Sequence, residues 1–173
     1  ANLPVIFLQN TTGYIVGTKS EQAGMIKHGS KMVQAVQNLE VPRITMMTGA
    51  SFGAGNYGMC GRGFFPDFLY AFPNARTGVM GGEQAAKTMS MVARGKAEAA
   101  GSSVDEAALT EQEARLTEMF DSQSSAFYTS GHMMDDGVID PRQTRQTLGF
   151  LLQTVQEARQ RIVRPNTFGI ARL

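Results

Sequence analysis

Hydrophobic and polar positions along the chain fall into alternating strand-like and helix-like stretches. Leu3-Pro-Val-Ile-Phe-Leu8 is an unbroken apolar run, the mark of a strand buried on both faces, and it ends in the polar turn Gln9–Gly13. Thr18 and Glu21 then have the spacing of a capping box, in which two orphan N–H groups are satisfied reciprocally. A helix is expected from there to about Asn38, with Met25, Ile26, Met32, Val33, Val36 and Leu39 on one face. Pro42 closes the gap to a second buried strand, Arg43 to Thr48, which leads into a glycine-rich strand-to-helix turn at Ser51–Gly61.

Short strands are expected at Phe68–Phe72 and Thr77–Met80, with a turn at Pro73-Asn74 between them. Gly81-Gly82-Glu83 opens a helix to about Ala93, and Ser102 to Tyr128 reads as two more polar, outer helices. Asp136-Gly137 makes a turn before a short strand at Val138-Ile139. Asp140-Pro141 is an N-cap with proline at the first helical position. The last helix runs to about Arg161 and buries Leu148, Leu151, Leu152 and Val155, and the tail beyond Pro165 is expected to be extended. Strands alternating with helices predict an α/β fold with mostly parallel pairing. Because the chain opens directly in a core strand, an upstream part of the domain is expected to be missing.

Composition narrows the function classes. The 173 residues suit one domain, and 42% hydrophobic with 18% charged residues is a globular balance. Sixteen Lys and Arg against fifteen Asp and Glu give a net charge of +1, no reason to expect nucleic acid or a membrane as partner. Arg159, Arg161, Arg164 and Arg172 gather near the end, as a solvated helix terminus explains. Cys60 is the single cysteine, so no internal disulfide can form, and His28 and His132 lack partners at ligand spacing; no metal is expected. No signal peptide is evident, and no apolar run approaches the ~20 residues that a membrane helix needs. Nineteen glycines suggest tight turns and close backbone approaches.

The candidate chemistry lies in those turns. Gly49-Ala-Ser-Phe-Gly53 matches a nucleophile elbow, with Ser51 as nucleophile and His132 as a downstream base, but the glycine density after the serine exceeds what an elbow requires. A second reading concerns the peptides themselves. Gly53, Ala54 and Gly55 fall where a strand gives way to a helix N-terminus, so their N–H groups can point outward at the positive end of the helix dipole. Such paired donors stabilise an oxyanion or enolate. Tight strand–helix packing explains the same glycines, and spacing alone leaves both open. Phosphate binding is discounted, since no Gly-Lys-Ser/Thr follows. Glu83 is the other candidate, a carboxylate at a helix start or simply a dipole-favoured residue.

Six segments together resemble a known family. They are Asn10–Thr18, Lys27–Met32, Gly49–Arg62, Pro73–Arg76, Val79–Ala86 and Asp136–Arg142. The chain is similar to the carboxyltransferase β subunit of biotin-dependent acyl-CoA carboxylases, and Ser51–Gly61 looks most like the methylcrotonoyl-CoA and geranyl-CoA branch. The resemblance implies a crotonase-like fold of stacked ββα turns. It makes residues 1–173 part of the C-terminal, carboxybiotin-side domain, without its upstream elements. Carboxyl would pass from carboxybiotin, carried by a separate α subunit that also bears biotin carboxylase, to an acyl-CoA. By resemblance, the N–H groups of Ala54 and Gly55 hold the ureido oxygen as it becomes enolate-like, and Glu83 supports the site. Gly13, Tyr14, Gly53, Ala54 and Gly55 would lie around biotin. A homo-oligomer of β subunits follows, in the bacterial cytoplasm or the mitochondrial matrix. An acyl-CoA decarboxylase of the same fold and an inactive assembly fragment are the alternatives.

Overall fold

The computed structural model describes residues 1–163 together with Pro165 and Gly169, so the expected extended tail, with Arg164 and Arg172, lies outside the described residues. The chain runs through β1 (Val5–Thr11), α1 (Thr18–Gln22), α2 (Met25–Gln37), β2 (Arg43–Phe52) and α3 (Gly53–Gly58). Then come β3 (Phe68–Ala71), β4 (Arg76–Gly78), α4 (Gly82–Ala99), α5 (Glu106–Ser124), α6 (Ala126–Gly131) and α7 (Thr144–Gln160). Strand β2 is central. It pairs in parallel with β1 on one side and, on the other, first with β3 and then with β4. Two short strands laid end to end along one partner explain why β2 continues to Phe52, past the expected end at Thr48.

The central strand is the buried one: Ile44, Thr45, Met46 and Met47 are all inaccessible or nearly so. Met47 joins Leu69, Ala71, Ala75 and Ala126 in the core, with Val138 against them. Strand β1 departs from its expected burial on both faces. Among the described residues it is an edge strand whose residues alternate, with Gln9 fully buried while Ile6 and Leu8 are exposed. An apolar run shows that both faces shun water, but which face is covered depends on elements elsewhere, and none of the described ones covers Ile6 and Leu8.

Several local expectations also change. The capping box is only half formed: Gly17, not Thr18, is the cap residue, and the Glu21 side chain accepts from the Gly17 N–H at 3.5 Å. The single helix to Asn38 is two, broken at Gly24, whose φ of 92° no helix continues through. Val36 is its one buried side chain among the expected apolar face, and Ile26 and Met32 are exposed. Helix α4 runs on to Ala99, and the strand expected at Thr77–Met80 is Arg76–Gly78. Val138 forms only an isolated bridge to Ala71. Asp140 does cap as expected, accepting from the Arg142 N–H at 2.9 Å, but a 3-10 turn over Pro141–Gln143 precedes α7. Leu151 and Val155 are buried in α7, and Leu148 and Leu152 are half-buried.

Candidate active site

The junction of β2 and α3 is shaped by an irregular strand end. Gln9 pairs with Met47, but the next β1 partner, Thr11, pairs with Ser51, so β2 carries extra residues there. The side chain of Asn10 accepts the Ala50 N–H at 3.1 Å, and Thr48 donates to the Gln9 carbonyl at 2.9 Å, so the irregularity is satisfied locally. The chain then turns at Gly53, with φ of 54°, where a Cβ would lie 2.9 Å from the Val79 carbonyl oxygen. Glycine is required there on both counts. Helix α3 begins at once, and no side chain caps it. Its first-turn N–H groups, which include those of Ala54 and Gly55, have no intrahelical partner.

Gly55 is buried, and a Cβ on it would fall 2.9 Å from Gly13 Cα and 3.0 Å from Thr11 Oγ1. The polar turn after β1 is therefore pressed directly onto the first turn of α3. Ala54 is exposed and, with Gly53 and Asn56, lines a cavity of about 900 Å³. The remaining wall is largely apolar, including Val79, Met80, Met119, Phe120 and Met134. Of the two candidate donors, Ala54 stands at the edge of this apolar cleft and Gly55 lies buried just behind it. Donors at such an edge can hold a developing negative charge with little competition from water.

The residues expected at the site separate into two groups. Gly13, Gly53, Ala54 and Gly55 come together as just described. Tyr14 lies between α2 and the far end of α3: its ring packs on Gly29, its hydroxyl donates to the Gly29 carbonyl at 3.4 Å, and the same hydroxyl stands against Gly58. Glu83 sits in the first turn of α4, is exposed, and is paired with Lys87 at 2.5 Å; it is not among the residues lining the cavity. The Lys87 hydrogen bond and charge hold its carboxyl below the usual carboxylate range. Asn56 and Arg62 line the cavity without a role expected from the sequence, and His132, considered only as the base of a nucleophile elbow, lines it too. His132 stacks on Tyr128 with ring centroids 4.2 Å apart, and its Nδ1 lies 2.8 Å from the Tyr128 carbonyl oxygen. Nothing in its sequence spacing signals that position, because the wall is assembled from α3, β4, α5 and α6.

The nucleophile-elbow reading fails on geometry. Ser51 lies inside β2 rather than on the turn, fully buried; its hydroxyl donates to Gln9 Oε1 and accepts from Asn56 Nδ2 at 2.7 Å. An elbow needs its Oγ exposed and within reach of a histidine. Cys60 is equally buried, and burial pushes its thiol pKa up, opposed in part by the charge of Arg43, so thiolate chemistry is disfavoured. Among the described residues no group of three or more His, Cys, Asp and Glu side chains could hold a metal ion.

Comparison with known proteins adds an independent line. The family model described as carboxyl transferase domain matches residues 1–168. A probable biotin-dependent acyl-coenzyme A carboxylase beta2 subunit from Mycobacterium tuberculosis is 49% identical over 173 residues, covering all of this chain and 32% of that protein. The mitochondrial methylcrotonoyl-CoA carboxylase beta chain of Arabidopsis thaliana is 42% identical over 171 residues, 99% of this chain and 29% of its own length. Among solved structures, the beta subunit of P. aeruginosa geranyl-CoA carboxylase superposes with a TM-score of 0.89 at 49% identity, over 99% of this chain and 32% of that one. The α/β arrangement is thus of the crotonase-like kind. The chain spans about a third of the length of these relatives.

Proposed function

This chain belongs to the carboxyl transferase domain family of biotin-dependent acyl-CoA carboxylases, and from that membership we propose that it supplies the carboxybiotin side of the carboxyl-transfer site. The observation that carries the reading is the first turn of α3, unsealed by any cap, backed by Gly13 and open to an apolar cavity at Ala54. The region corresponds to part of the C-terminal domain of a longer β subunit, and a second domain would bring the acyl-CoA. Branched or isoprenoid acyl-CoAs, 3-methylcrotonoyl-CoA or geranoyl-CoA, are the proposed substrates, in keeping with the methylcrotonoyl-CoA and geranyl-CoA carboxylases among the relatives. The separate biotin-bearing subunit and further copies of this chain are the proposed partners; exposed apolar residues such as Phe65, Met89 and Met91 suit such an assembly.

The residues present fit a ureido group. The backbone at Gly53–Gly55 leaves no Cβ between the donors and an incoming oxygen except the one methyl of Ala54. Bound carboxybiotin would supply the carboxyl group, with its ureido oxygen as the acceptor to be held here. The N–H groups of Ala54 and Gly55 would donate to that oxygen, and the α3 dipole would add to the attraction. The methionine-rich wall excludes water, which strengthens those donors and protects the carboxyl group in transit. No side chain of this chain need act as general base; Glu83 is given a supporting part only, at the start of α4. Ala54→Pro tests the reading in the full-length subunit assembled with its biotin-bearing partner. Proline in the first turn deletes one N–H without breaking an intrahelical bond. Loss of one such donor should slow transfer about 100- to 1000-fold, and undiminished kcat in well-folded protein would refute it.

A further inference from the structure

Gln9 is fully buried on an edge strand, an expensive place for an amide unless every polar atom is used. Its Nε2 donates to the Met59 carbonyl at 2.7 Å, at the C-terminal end of α3. That fixes the amide orientation, so Oε1 faces Ser51 and must accept its hydroxyl proton. The Ser51 oxygen is then left to accept from Asn56 Nδ2 at 2.7 Å, in the second half of α3. The Gln9 amide also donates to the Asn56 carbonyl at 3.5 Å, so Gln9 holds α3 both directly and through Ser51. This network ties the C-terminal half of a six-residue helix, which no side chain caps, to a single side chain of β1.

We propose that Gln9 and Ser51 are positioning residues that act through Asn56 to aim the backbone donors of α3 at the cavity. Their role depends on the one assigned above to Ala54 and Gly55. A helix this short has no rigidity of its own. Its orientation comes from what holds it, and Asn56 directly follows Gly55 and itself lines the cavity. If the buried network loosens, α3 can tilt, and donors whose value lies in their aim lose it.

The test uses the full-length subunit assembled with its biotin-bearing partner, comparing Gln9→Leu, Ser51→Ala and the pair. Each single change should lower kcat about 10- to 100-fold, as a misplacement of order an ångström does. KM for acyl-CoA should stay level, since no contact to that substrate is removed. The combined variant should be no slower than the slower single one, because Gln9→Leu already removes the acceptor of the Ser51 hydroxyl. A purely structural role would lower the urea midpoint yet leave kcat per assembled subunit unchanged, and that result overturns the proposal. Should Gln9→Leu fail to fold, Ser51→Ala decides, because it removes a single oxygen. If Ala54→Pro is slow while both of these variants keep full kcat, the donor reading stands and the positioning role alone falls. If Ala54→Pro also keeps full kcat, both fall together.

Discussion

Replacing Gly55 by alanine puts one methyl group where the structure has no room for it. The new Cβ would lie 2.9 Å from Gly13 Cα, 3.0 Å from Thr11 Oγ1 and 3.1 Å from Thr11 Cγ2. Carbon–carbon contacts relax near 3.5 to 4.0 Å, so α3 and the turn after β1 must part by about 0.6 to 1 Å. The nearest obstacle is backbone, which cannot swing aside as a side chain end would. Overpacking of this kind costs about 1–3 kcal/mol, and the better helix propensity of alanine returns up to about 1 kcal/mol of that. Urea denaturation of the full-length subunit should therefore show a net loss of about 1–2 kcal/mol. The functional effect should be larger than the stability loss suggests. A donor displaced by most of an ångström costs about 10- to 100-fold in rate, even in protein that is fully folded. The assay is transfer of carboxyl from product to free biotin, with kcat expressed per assembled subunit. Wild-type kcat in a protein destabilised as expected would refute the idea that the α3 donors need their present aim.

The supporting residue and the buried thiol make weaker demands. Glu83→Gln should slow transfer by less than about 100-fold, below the range of a lost general acid or base, as steady-state kinetics will show. Cys60→Ala should keep most transfer activity, and the native thiol should resist alkylation until urea unfolds the chain, since burial raises its pKa. The Arg142 side chain and backbone N–H both donate to Asp140 and hold its carboxyl below the usual range. A depressed folded pKa stabilises above the unfolded value and loses that contribution as pH falls through the folded one. The gap in urea midpoint between wild type and Asp140→Asn should therefore be open at neutral pH and close as the pH falls below about 4.

Short-range constraints were legible in the sequence, and the reason is that each is enforced by neighbours in the chain. Asp140-Pro141 announces a helical turn because a carboxylate two residues from an N–H can reach it, and the structure has that bond. The glycines from Gly49 to Gly61 announce a tight strand-to-helix passage, and Gly53 with its positive φ makes it. The resemblance of six segments carried the α/β fold and the family with it. What the chain pattern could not determine is which distant segments meet. The apolar run of β1 reads as doubly buried, yet among the described residues it is an edge, because its covering depends on elements elsewhere. Ser51 reads as a nucleophile candidate from five residues, and only Gln9, brought alongside by parallel pairing of β1 and β2, shows it to be enclosed. Gly13 meets Gly55, and His132 meets Ala54 across one cavity, by the stacking of strands and helices rather than by any spacing. Periodicity and turn chemistry act over a few residues, whereas the hydrogen-bond partners and neighbours that give a group its chemistry are chosen by the packed fold.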